Sequence, residues 1–481
     1  MGVLIFLPPL LYSSAWTTSW REFRHNAVSI GFLAVGLVAF TVWGVAEFSD
    51  RFITFMDWKA GFLLGGVVAA TDAIAATSIA RSLGLPRRIV DVLEGESLLN
   101  DATALLALEF GLHMLMGGTT PSAGEAIFRL FYLTVVGAGV GLAIGFVVSR
   151  LSVLIDDGPV EMVVSIVLPY AAYLAGDAVN ASGVFAVVAC GLYMSRQSST
   201  IYSPRVRMQM YGIWDALTFV LNGLVFVLIG LQLPFVLAAI RGLYSWGTLL
   251  KYGVAFSAVL IVLRLIWVYP AAWAAYWIEC KCMKRGDAKP RNSAIFVIGW
   301  TGMRGVLALA AAISLPETMG NGTAFPTRSL ILFLAFSVIL VTLVLQGLSL
   351  PLLIRWLGLG KIAEGDEEER KAREIILTSA IEYLEKGREV DGERFSHIYE
   401  DLLHRYRHRL AAVGSGNEDD SYSGMDEGTY KRLKEIAAGA VKTERRAMIR
   451  LRDEGKISDD ALRAMQNELD LQETRYEGAV E

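Results

Sequence analysis

The sequence predicts an all-α polytopic membrane protein that ends in a separate, highly charged helical tail. The chain has 481 residues, of which 54% are hydrophobic and only 19% are charged, a balance too apolar for an ordinary soluble protein. About eleven apolar segments approach the length of about 20 residues that a membrane-spanning helix needs. Residues 361–481 hold 21 basic and 29 acidic side chains, whereas basic side chains outnumber acidic ones before them. We therefore predict a membrane domain over residues 1–360 and a charged helical tail over residues 361–481.

The predicted spans are the apolar runs, in chain order, at residues 1–15, 27–46, 60–80, 93–116, 127–149, 160–175, 183–195, 213–239, 247–278, 292–315 and 329–354. The first run is not interpreted as a signal peptide, because it lacks a basic start and a small-residue cleavage site. Between the spans, one alternating set of loops carries 14 Lys and Arg residues and the other set carries 4. The positive-inside rule places the richer set, and the tail with it, in the cytoplasm.

The tail shows helical apolar spacing among its charges over about residues 370–412 and 428–478. An acidic, glycine-containing stretch at 414–420 lies between these two segments and predicts a flexible break. Two solvated amphipathic helices account for this pattern. No specific motif supports the alternative, a regulatory domain that senses pH or ions.

Acidic side chains inside the predicted spans are the first candidates for function. Charged groups at bilayer depth are costly, rare and usually functional. Asp72 lies in one span, and Glu96 and Asp101 lie in the next. On a helix, Glu96 and Asn100 are four residues apart, and so are Ser97 and Asp101, so each pair lies on adjacent turns of one polar face. That face is expected to point into the protein.

Arg304 is a fourth intramembrane charge, and glycines lie on both sides of it. Such glycines permit an unwound stretch, which is tolerated at membrane depth only where it is buried or lines a cavity. Leaving one partner of a buried ion pair alone costs roughly 3–5 kcal/mol, so Arg304 needs an anion. We expect Glu96 to be that partner, which leaves Asp72 and Asp101 free for chemistry. The alternative is that all four charges only lock the bundle, although one pair would suffice for that.

The remaining acids indicate a site for a monovalent cation. Burial and a neighbouring carboxylate both favour the protonated form of a carboxyl group. When Asp101 is ionised it can hold a bare cation, with further oxygens from the Ser97 hydroxyl, the Thr71 carbonyl and Asp72. When it is protonated it cannot. A site that takes either a cation or a proton, presented to each side in turn, is a cation/proton exchanger, and transporters place such sites beside interrupted helices.

At these residues the chain resembles the first monovalent cation:proton antiporter family, the sodium/proton exchangers that include bacterial NhaP-type and animal NHE-type proteins. The similar stretches are Leu7–Tyr12, Thr71–Asp72, Glu96–Asp101, Ser182–Ala186 and Gly302–Gly305. The resemblance spans roughly residues 1–360. It implies two inverted repeats with two broken crossing helices, a homodimer, and an elevator-like movement of an ion-binding bundle against a dimerisation bundle.

The resemblance also implies roles for individual residues. Asp101 is the expected exchanged carboxylate, and Glu96 is the expected partner of Arg304. The expected cation ligands around Asp101 are Asp72, Thr71, Ser97 and Asn100. Asn100 stands where an electrogenic relative carries a second Asp, which implies one-for-one, electroneutral exchange. The chain departs from the family pattern at Ala73, which replaces a proline, and it begins at the position of the family's third helix, so we expect about two N-terminal helices to be absent.

The expected function is therefore secondary active exchange of Na⁺ for H⁺ in a bacterial plasma membrane, serving pH and sodium homeostasis. The sequence leaves Li⁺ and K⁺ open as substrates. The alternatives are a K⁺/H⁺ antiporter, a cation channel, and a non-transporting ion-binding sensor that acts through the tail. An enzyme is not indicated, since no phosphate loop, metal-ligand cluster or nucleophile–base pattern is found. The expected partners are the lipid bilayer and a second copy of the chain. Neither a nucleic acid nor a cofactor besides the transported Na⁺ and H⁺ is expected.

Overall fold

Helices make up nearly all of the computed structural model, which confirms the predicted all-α class. The chain divides into two units, Met1–Ile362 and Ala363–Glu481. The structure describes residues 2–18, 20–72, 76–77, 79–80, 83–116, 122–155, 157–240, 244–283, 289–318, 325, 327–359, 364–391 and 396–415.

The first unit contains thirteen described helices. The first eight are α1 (Gly2–Thr17), α2 (Trp20–His25), α3 (Ala27–Phe52), α4 (Trp58–Ala69), α5 (Arg87–Leu115), α6 (Ala123–Ser152), α7 (Gly158–Ala178) and α8 (Gly183–Ile201). The other five are α9 (Pro204–Ile240), α10 (Trp246–Lys281), α11 (Asn292–Trp300), α12 (Val306–Ile313) and α13 (Arg328–Trp356). Helices α3 and α13 each contain a π-helical turn, at Phe32–Leu37 and Thr342–Gln346.

Seven described helices are long and apolar enough to cross a membrane, namely α3, α5, α6, α7, α9, α10 and α13. The other predicted spans form shorter or less apolar helices, namely α1, α4, α8, α11 and α12. The polytopic membrane architecture predicted from the apolar runs is thus confirmed.

Several helices begin at a capping residue. Its side chain accepts a hydrogen bond from a backbone N–H group of the first turn, which has no partner within the helix. Asp57 accepts from the backbone N–H of Ala60 at 3.0 Å at the start of α4. Ser122 and Glu125 form a capping box at the start of α6. Ser182 accepts from the first turn of α8. These short polar residues fix where apolar helices start, which apolar runs alone leave undefined by several residues.

The helices of the first unit pack as two bundles. Helices α1, α6, α7 and α8 pack on one another and form the small bundle, and helices α3 to α5 and α10 to α13 form the large bundle. Helix α9 contacts α1 and α7 of the small bundle and α12 and α13 of the large one. Helix α8 of the small bundle also contacts α5 of the large one, and much of the contact between the bundles runs along α1 and α9.

Glycines allow close packing inside the large bundle. A Cβ atom on Gly65 would lie 2.8 Å from the Cα of Val42 in α3, and one on Gly66 would lie 2.7 Å from the backbone nitrogen of Leu108 in α5. Both distances are shorter than normal contacts, so small residues are required for this helix approach. Helix α4 is thereby held between α3 and α5, and its end lies beside the polar face of α5.

Two helical runs in the large bundle are interrupted, as the resemblance implies. Helix α4 ends at Ala69, residues 70–72 are non-helical, and helical residues are described again at 76–77 and 79–80. Helix α11 ends at Trp300, residues 301–305 are non-helical, and α12 follows. We call residues 70–72 the first break and residues 301–305 the second break. The family departure predicted at Ala73 lies outside the described residues.

The two breaks meet. The backbone N–H of Asp72 donates to the carbonyl of Met303 at 2.9 Å. A Cβ atom on Gly305 would lie 2.4 Å from the side chain of Asp72, so only a glycine allows this approach. Unwound backbone at membrane depth needs such partners, because no water is available to satisfy it.

The second unit contains two described helices, α14 (Glu364–Asp391) and α15 (Ser396–Ser415). They pack against each other through Ile381, Leu384 and Leu403. Arg407 of α15 donates to Glu385 of α14 at 2.6 Å. The predicted helical stretch at about 370–412 is therefore a helical hairpin, and the second predicted stretch, 428–478, lies outside the described residues.

Candidate cation site at the crossing of the two breaks

Thr71 is the centre of the polar contacts at the first break. Because residues 70–72 are non-helical, its carbonyl is available to other groups. That carbonyl accepts from the hydroxyl of Ser97 at 3.1 Å and from Nδ2 of Asn100 at 3.4 Å. The Thr71 hydroxyl accepts from Nδ2 of Asn100 at 2.5 Å and donates to Oε1 of Glu96 at 3.0 Å. The polar face of α5 is thus fixed on the first break, as the four-residue spacing predicted.

Glu96 is paired with Arg264 of α10, and the predicted pairing with Arg304 is wrong. Nη1 of Arg264 donates to Oε1 of Glu96 at 2.5 Å, and Nη2 donates to Oε2 at 2.8 Å. Both side chains are only 2% exposed. Since Arg264 and Thr71 together occupy both oxygens of Glu96, the carboxylate has its charge compensated without Arg304. A planar guanidinium matches a carboxylate in this two-point geometry.

Arg304 instead binds backbone carbonyls. Its Nε donates to the carbonyl of Val68 at 2.9 Å, and its Nη1 donates to the carbonyl of Gly302 at 2.5 Å. Its own backbone N–H donates to the hydroxyl of Thr342, in the π-helical turn of α13, at 3.1 Å. Val68 lies in the last turn of α4, where free carbonyls and the helix dipole favour a cation. Arg304 therefore stabilises the end of α4 from the second break.

Arg264 binds the end of α11 in the same way that Arg304 binds the end of α4. Besides binding Glu96, its Nε and Nη2 donate to the carbonyl of Ile298 at 3.3 Å and 3.0 Å. Ile298 lies in the last turn of α11. Each helix that ends at a break is thus capped by an arginine from another segment of the chain.

A small cavity lies at the crossing and has a volume of about 70 Å³, which leaves room for several water molecules. Asp72, Asp101, Thr71 and Ser97 line it from the large bundle. The opposite wall comes from α1 and α9 and contains Leu7, Leu10, Leu11, Ser14 and Asn222.

Asp101 is a buried acid on the wall of this cavity. Its side chain is buried, with an exposed fraction of 9%, and among the described contacts no protein group donates a hydrogen bond to its carboxylate. Asp72 is half-buried on the same cavity. Two carboxylates on one small cavity attract a cation strongly when they are ionised. Within the described part of the chain, no group of three or more His, Cys, Asp or Glu side chains is placed to hold a metal ion.

Four of the predicted cation ligands therefore come together, and one does not. Asp101, Asp72, Thr71 and Ser97 line the cavity. Asn100 lies behind Thr71, donates to it, and is only 1% exposed. The described contact of Asn100 is its donation to Thr71, and its direct contact with the cation stays a prediction.

The sequence interpretation missed Arg264, Ser14 and Asn222. Arg264 interrupts the apolar run at 247–278, which is the same signal that singled out Arg304, so it was detectable. Ser14 and Asn222 are uncharged and carry no comparable signal, because isolated hydroxyl and amide groups are common in membrane helices.

The arrangement defines the class of a secondary cation transporter, since two interrupted helices cross at a cavity lined by two carboxyl groups, Asp72 and Asp101. The sodium/hydrogen exchanger transmembrane family model matches residues 1–356. The chain belongs to this family of membrane cation/proton antiporters.

Known relatives are similar over most of the chain. An uncharacterised Na⁺/H⁺ exchanger of Mycobacterium tuberculosis is 32% identical over 98% of this chain and 86% of its own length. A sodium, potassium, lithium and rubidium/H⁺ antiporter of Bacillus pumilus is 30% identical over 98% of this chain and 69% of its own length. The Na⁺/H⁺ antiporter ApNhaP of Aphanothece halophytica is 31% identical over 79% of this chain and 68% of its own length.

The fold is also found in a solved structure. The sodium proton antiporter MjNhaP1 from Methanocaldococcus jannaschii aligns with a TM-score of 0.54 at 18% identity, over 74% of this chain and 85% of that chain. The likeness confirms the fold class predicted for the membrane domain.

Proposed function

We propose that the protein exchanges Na⁺ for H⁺ across the plasma membrane by binding either ion at Asp101 in turn. The observation that carries this proposal is the carboxylate of Asp101, which lines a cavity large enough for water and receives no hydrogen bond from any described group. A carboxylate that is held by no protein donor is free to bind a cation when ionised and to release it when protonated. Asp72, on the same cavity, adds to the attraction for the cation.

The neighbouring polar groups are arranged to complete the cation's oxygen shell. The Ser97 hydroxyl donates its hydrogen to the Thr71 carbonyl and lines the cavity, where its oxygen can serve as a ligand to a cation. Asn100 holds Thr71 in place from behind. Oxygen ligands of this kind suit hard monovalent cations, and the protein part of the shell is preorganised by hydrogen bonds within the large bundle.

The buried charges support one-for-one exchange. Asp72, Glu96 and Asp101 contribute three negative charges when ionised, and Arg264 and Arg304 contribute two positive ones. The crossing then carries one net negative charge, which either one monovalent cation or one proton neutralises. A second cation or proton would leave a net positive charge in a medium where uncompensated charge is costly. This balance supports electroneutral exchange at a single aspartate.

Na⁺ is the first proposed substrate, and Li⁺ and K⁺ are the alternatives. The family model and ApNhaP are named for sodium. The Bacillus pumilus relative is named for sodium, potassium, lithium and rubidium, which favours K⁺/H⁺ exchange as the second candidate function. The geometry of four oxygen-bearing groups around one cavity suits any of these ions.

The wider setting is also part of the proposal. The short basic loops and the bacterial relatives support a bacterial plasma membrane with the tail in the cytoplasm. In that setting one-for-one exchange would serve pH and sodium homeostasis. We expect a homodimer in which the large bundle moves against the small bundle along α1 and α9, since much of the contact between the bundles runs along these helices.

Purified protein in sealed liposomes tests this proposal through the dependence of exchange on pH. Because one proton competes with one cation for one carboxylate, the half-saturating Na⁺ concentration should rise about tenfold for each unit that the pH falls while most sites are protonated. The maximal rate should change little over that range. Making the membrane permeable to K⁺ with valinomycin, at equal K⁺ inside and out, should not alter the rate of electroneutral exchange.

The outcomes separate the candidate functions. Exchange with K⁺ but not with Na⁺ would select the second candidate. Cation flux that proceeds without any proton movement would indicate a channel. Absence of flux for every alkali cation, with Na⁺ binding retained, would indicate a non-transporting sensor and would refute the proposed exchange.

A further inference from the structure

The wall of the cavity that faces the two carboxylates is mostly apolar. Leu7, Leu10 and Leu11 of α1 form most of it. Among the described residues of that wall, the polar side chains are Ser14 of α1 and Asn222 of α9. A cation seated between Asp72 and Asp101 thus meets hydrocarbon on this side except at these two residues.

Asn222 has no described partner in the protein. It is half-buried in an apolar helix, next to Leu221, which is 9% exposed, and three residues before Val225, which is 2% exposed. A polar amide at membrane depth without a hydrogen-bond partner is unfavourable. Such a group is therefore expected to have a partner that the cavity supplies.

Thr218 offers a comparison on the same face of α9, because it lies four residues before Asn222. Its hydroxyl donates to the hydroxyl of Ser13 at 2.9 Å and so joins α9 to α1. The Thr218 side chain thus binds another side chain of the protein, whereas the Asn222 side chain, one helical turn further along, lines the cavity.

We propose that Asn222 supplies an oxygen ligand to the transported cation from the side opposite Asp101, and that this ligand sets the preference among alkali cations. An amide carbonyl is a neutral oxygen ligand of the kind that hard cations accept. The number and field strength of such oxygens decide selectivity between monovalent cations of different size. A neutral ligand adds affinity without changing the charge balance of the crossing, which one cation already neutralises.

Selectivity among monovalent cations then depends on the contact between the bundles. The charged ligands belong to the large bundle, while Asn222 belongs to α9, which touches both bundles. The charged ligands alone attract any monovalent cation. The neutral oxygen that Asn222 adds on the opposite wall then discriminates between ions of different radius. The inference rests on the proposed cation site at Asp101.

Binding of radioactive Na⁺ to the purified full-length protein, displaced by Na⁺, Li⁺ or K⁺, tests the inference without requiring transport. Asn222→Ala should raise the half-saturating Na⁺ concentration about tenfold, the scale of one lost contact to a charged group. It should also compress the ratios between the three ions towards one. Thr218→Val is the matched control, because it removes a polar contact from the same helix face but not from the cavity wall. It should leave both quantities within about twofold.

Exchange in liposomes is measured on the same variants. The maximal rate of Asn222→Ala at saturating Na⁺ should stay within about threefold of the wild type, because Asp101 is intact. If Asn222→Ala fails to fold, Asn222→Ser keeps a smaller oxygen there and should shift the ion ranking. Unchanged affinity and ranking in the folded variant, or equal shifts in Thr218→Val, would overturn the inference. Wild-type protein that binds Na⁺ but does not exchange it would refute the proposed transport and leave the Asn222 ligand to be judged by binding.

Discussion

The two breaks are built in the same way but carry opposite charges. At each, an apolar helix ends inside the large bundle and its last carbonyls accept from an arginine, Arg304 at the end of α4 and Arg264 at the end of α11. The first break and the adjoining face of α5 hold the acids, whereas the second break holds only the basic group. Unwound backbone thus needs the same kind of support at both places. Because the acids lie at the first break, we expect a cation to bind there and not at the second break.

One of the three acids, Glu96, is paired with an arginine, so we do not expect it to bind the cation. Glu96 is neutralised by two hydrogen bonds from Arg264. Arg304 donates to backbone carbonyls and, among the described contacts, binds no carboxylate directly. Asp72 and Asp101 therefore remain on the cavity, and the crossing carries one net negative charge when Asp72, Glu96 and Asp101 are all ionised.

The largest effect on stability is expected from removing Arg264. Arg264→Ala leaves Glu96 buried without a counter-charge, which costs about 3–5 kcal/mol. The melting temperature of the detergent-solubilised protein should fall steeply, and the double variant Glu96→Gln, Arg264→Ala should recover part of the loss. The control is Arg51→Ala, which breaks a largely exposed pair with Glu47 and should cost less than about 1 kcal/mol. Equal losses in Arg264→Ala and Arg51→Ala would contradict the assignment of a buried pair.

Arg304→Ala should destabilise the protein less than Arg264→Ala does. The variant leaves the neutral carbonyls of Val68 and Gly302 without a donor but strands no carboxylate, which costs about 1–3 kcal/mol. The same thermal unfolding experiment measures it. A larger loss of stability in Arg304→Ala than in Arg264→Ala would contradict this order. It would mean that the carbonyls bound by Arg304 matter more to stability than the charge of Glu96.

Gly305→Ala tests the close approach of the two breaks. A Cβ atom there would lie 2.4 Å from the side chain of Asp72, so Asp72 must move away from the cavity. We expect the half-saturating Na⁺ concentration for exchange to rise about tenfold, the scale of one displaced charged ligand. Gly139→Ala in α6 is the control, because nothing lies within 4 Å of its added Cβ atom. Wild-type Na⁺ dependence in Gly305→Ala would show that Asp72 is not held by this approach.

Ser97→Ala should give the smallest of these effects. It removes a hydroxyl ligand and the donor to the Thr71 carbonyl, and a neutral contact is worth about 0.5–1.5 kcal/mol, or roughly two- to tenfold in affinity. Na⁺ titration of exchange measures it. Thr103→Val is matched to it, since the Thr103 hydroxyl donates only to the carbonyl of Leu99 within α5. A loss of the same size in Thr103→Val would assign the effect to the helix and not to the cavity.

What the sequence predicted here depended on local information. An acid inside an apolar run is recognisable at its own position, so Asp72, Glu96 and Asp101 were found. The four-residue spacing on α5 predicted that Ser97 and Asn100 accompany them on one polar face, which the contacts of both with Thr71 confirm.

What the sequence left open depended on tertiary packing. Glu96 and Arg264 are 168 positions apart, and no local pattern distinguishes Arg264 from Arg304 as the partner. The structure distinguishes them because Arg304 donates to the last turn of α4, whereas Arg264 donates both to Glu96 and to the last turn of α11. The π-helical turns of α3 and α13, and the position of Asn222 on the cavity, likewise result from packing between distant segments.

The most direct test of the central claim compares Asp101→Asn with the wild type in sealed liposomes that carry an internal pH gradient. Asparagine keeps the size of the side chain but cannot exchange a proton for a cation. Asp157→Asn, an exposed aspartate just before α7, is the matched control. The account predicts that added Na⁺ collapses the gradient in the wild type and in Asp157→Asn but not in Asp101→Asn, although Asp101→Asn is purified as folded protein. Collapse of the gradient at the wild-type rate in Asp101→Asn would contradict the account, because the proton would then be carried elsewhere.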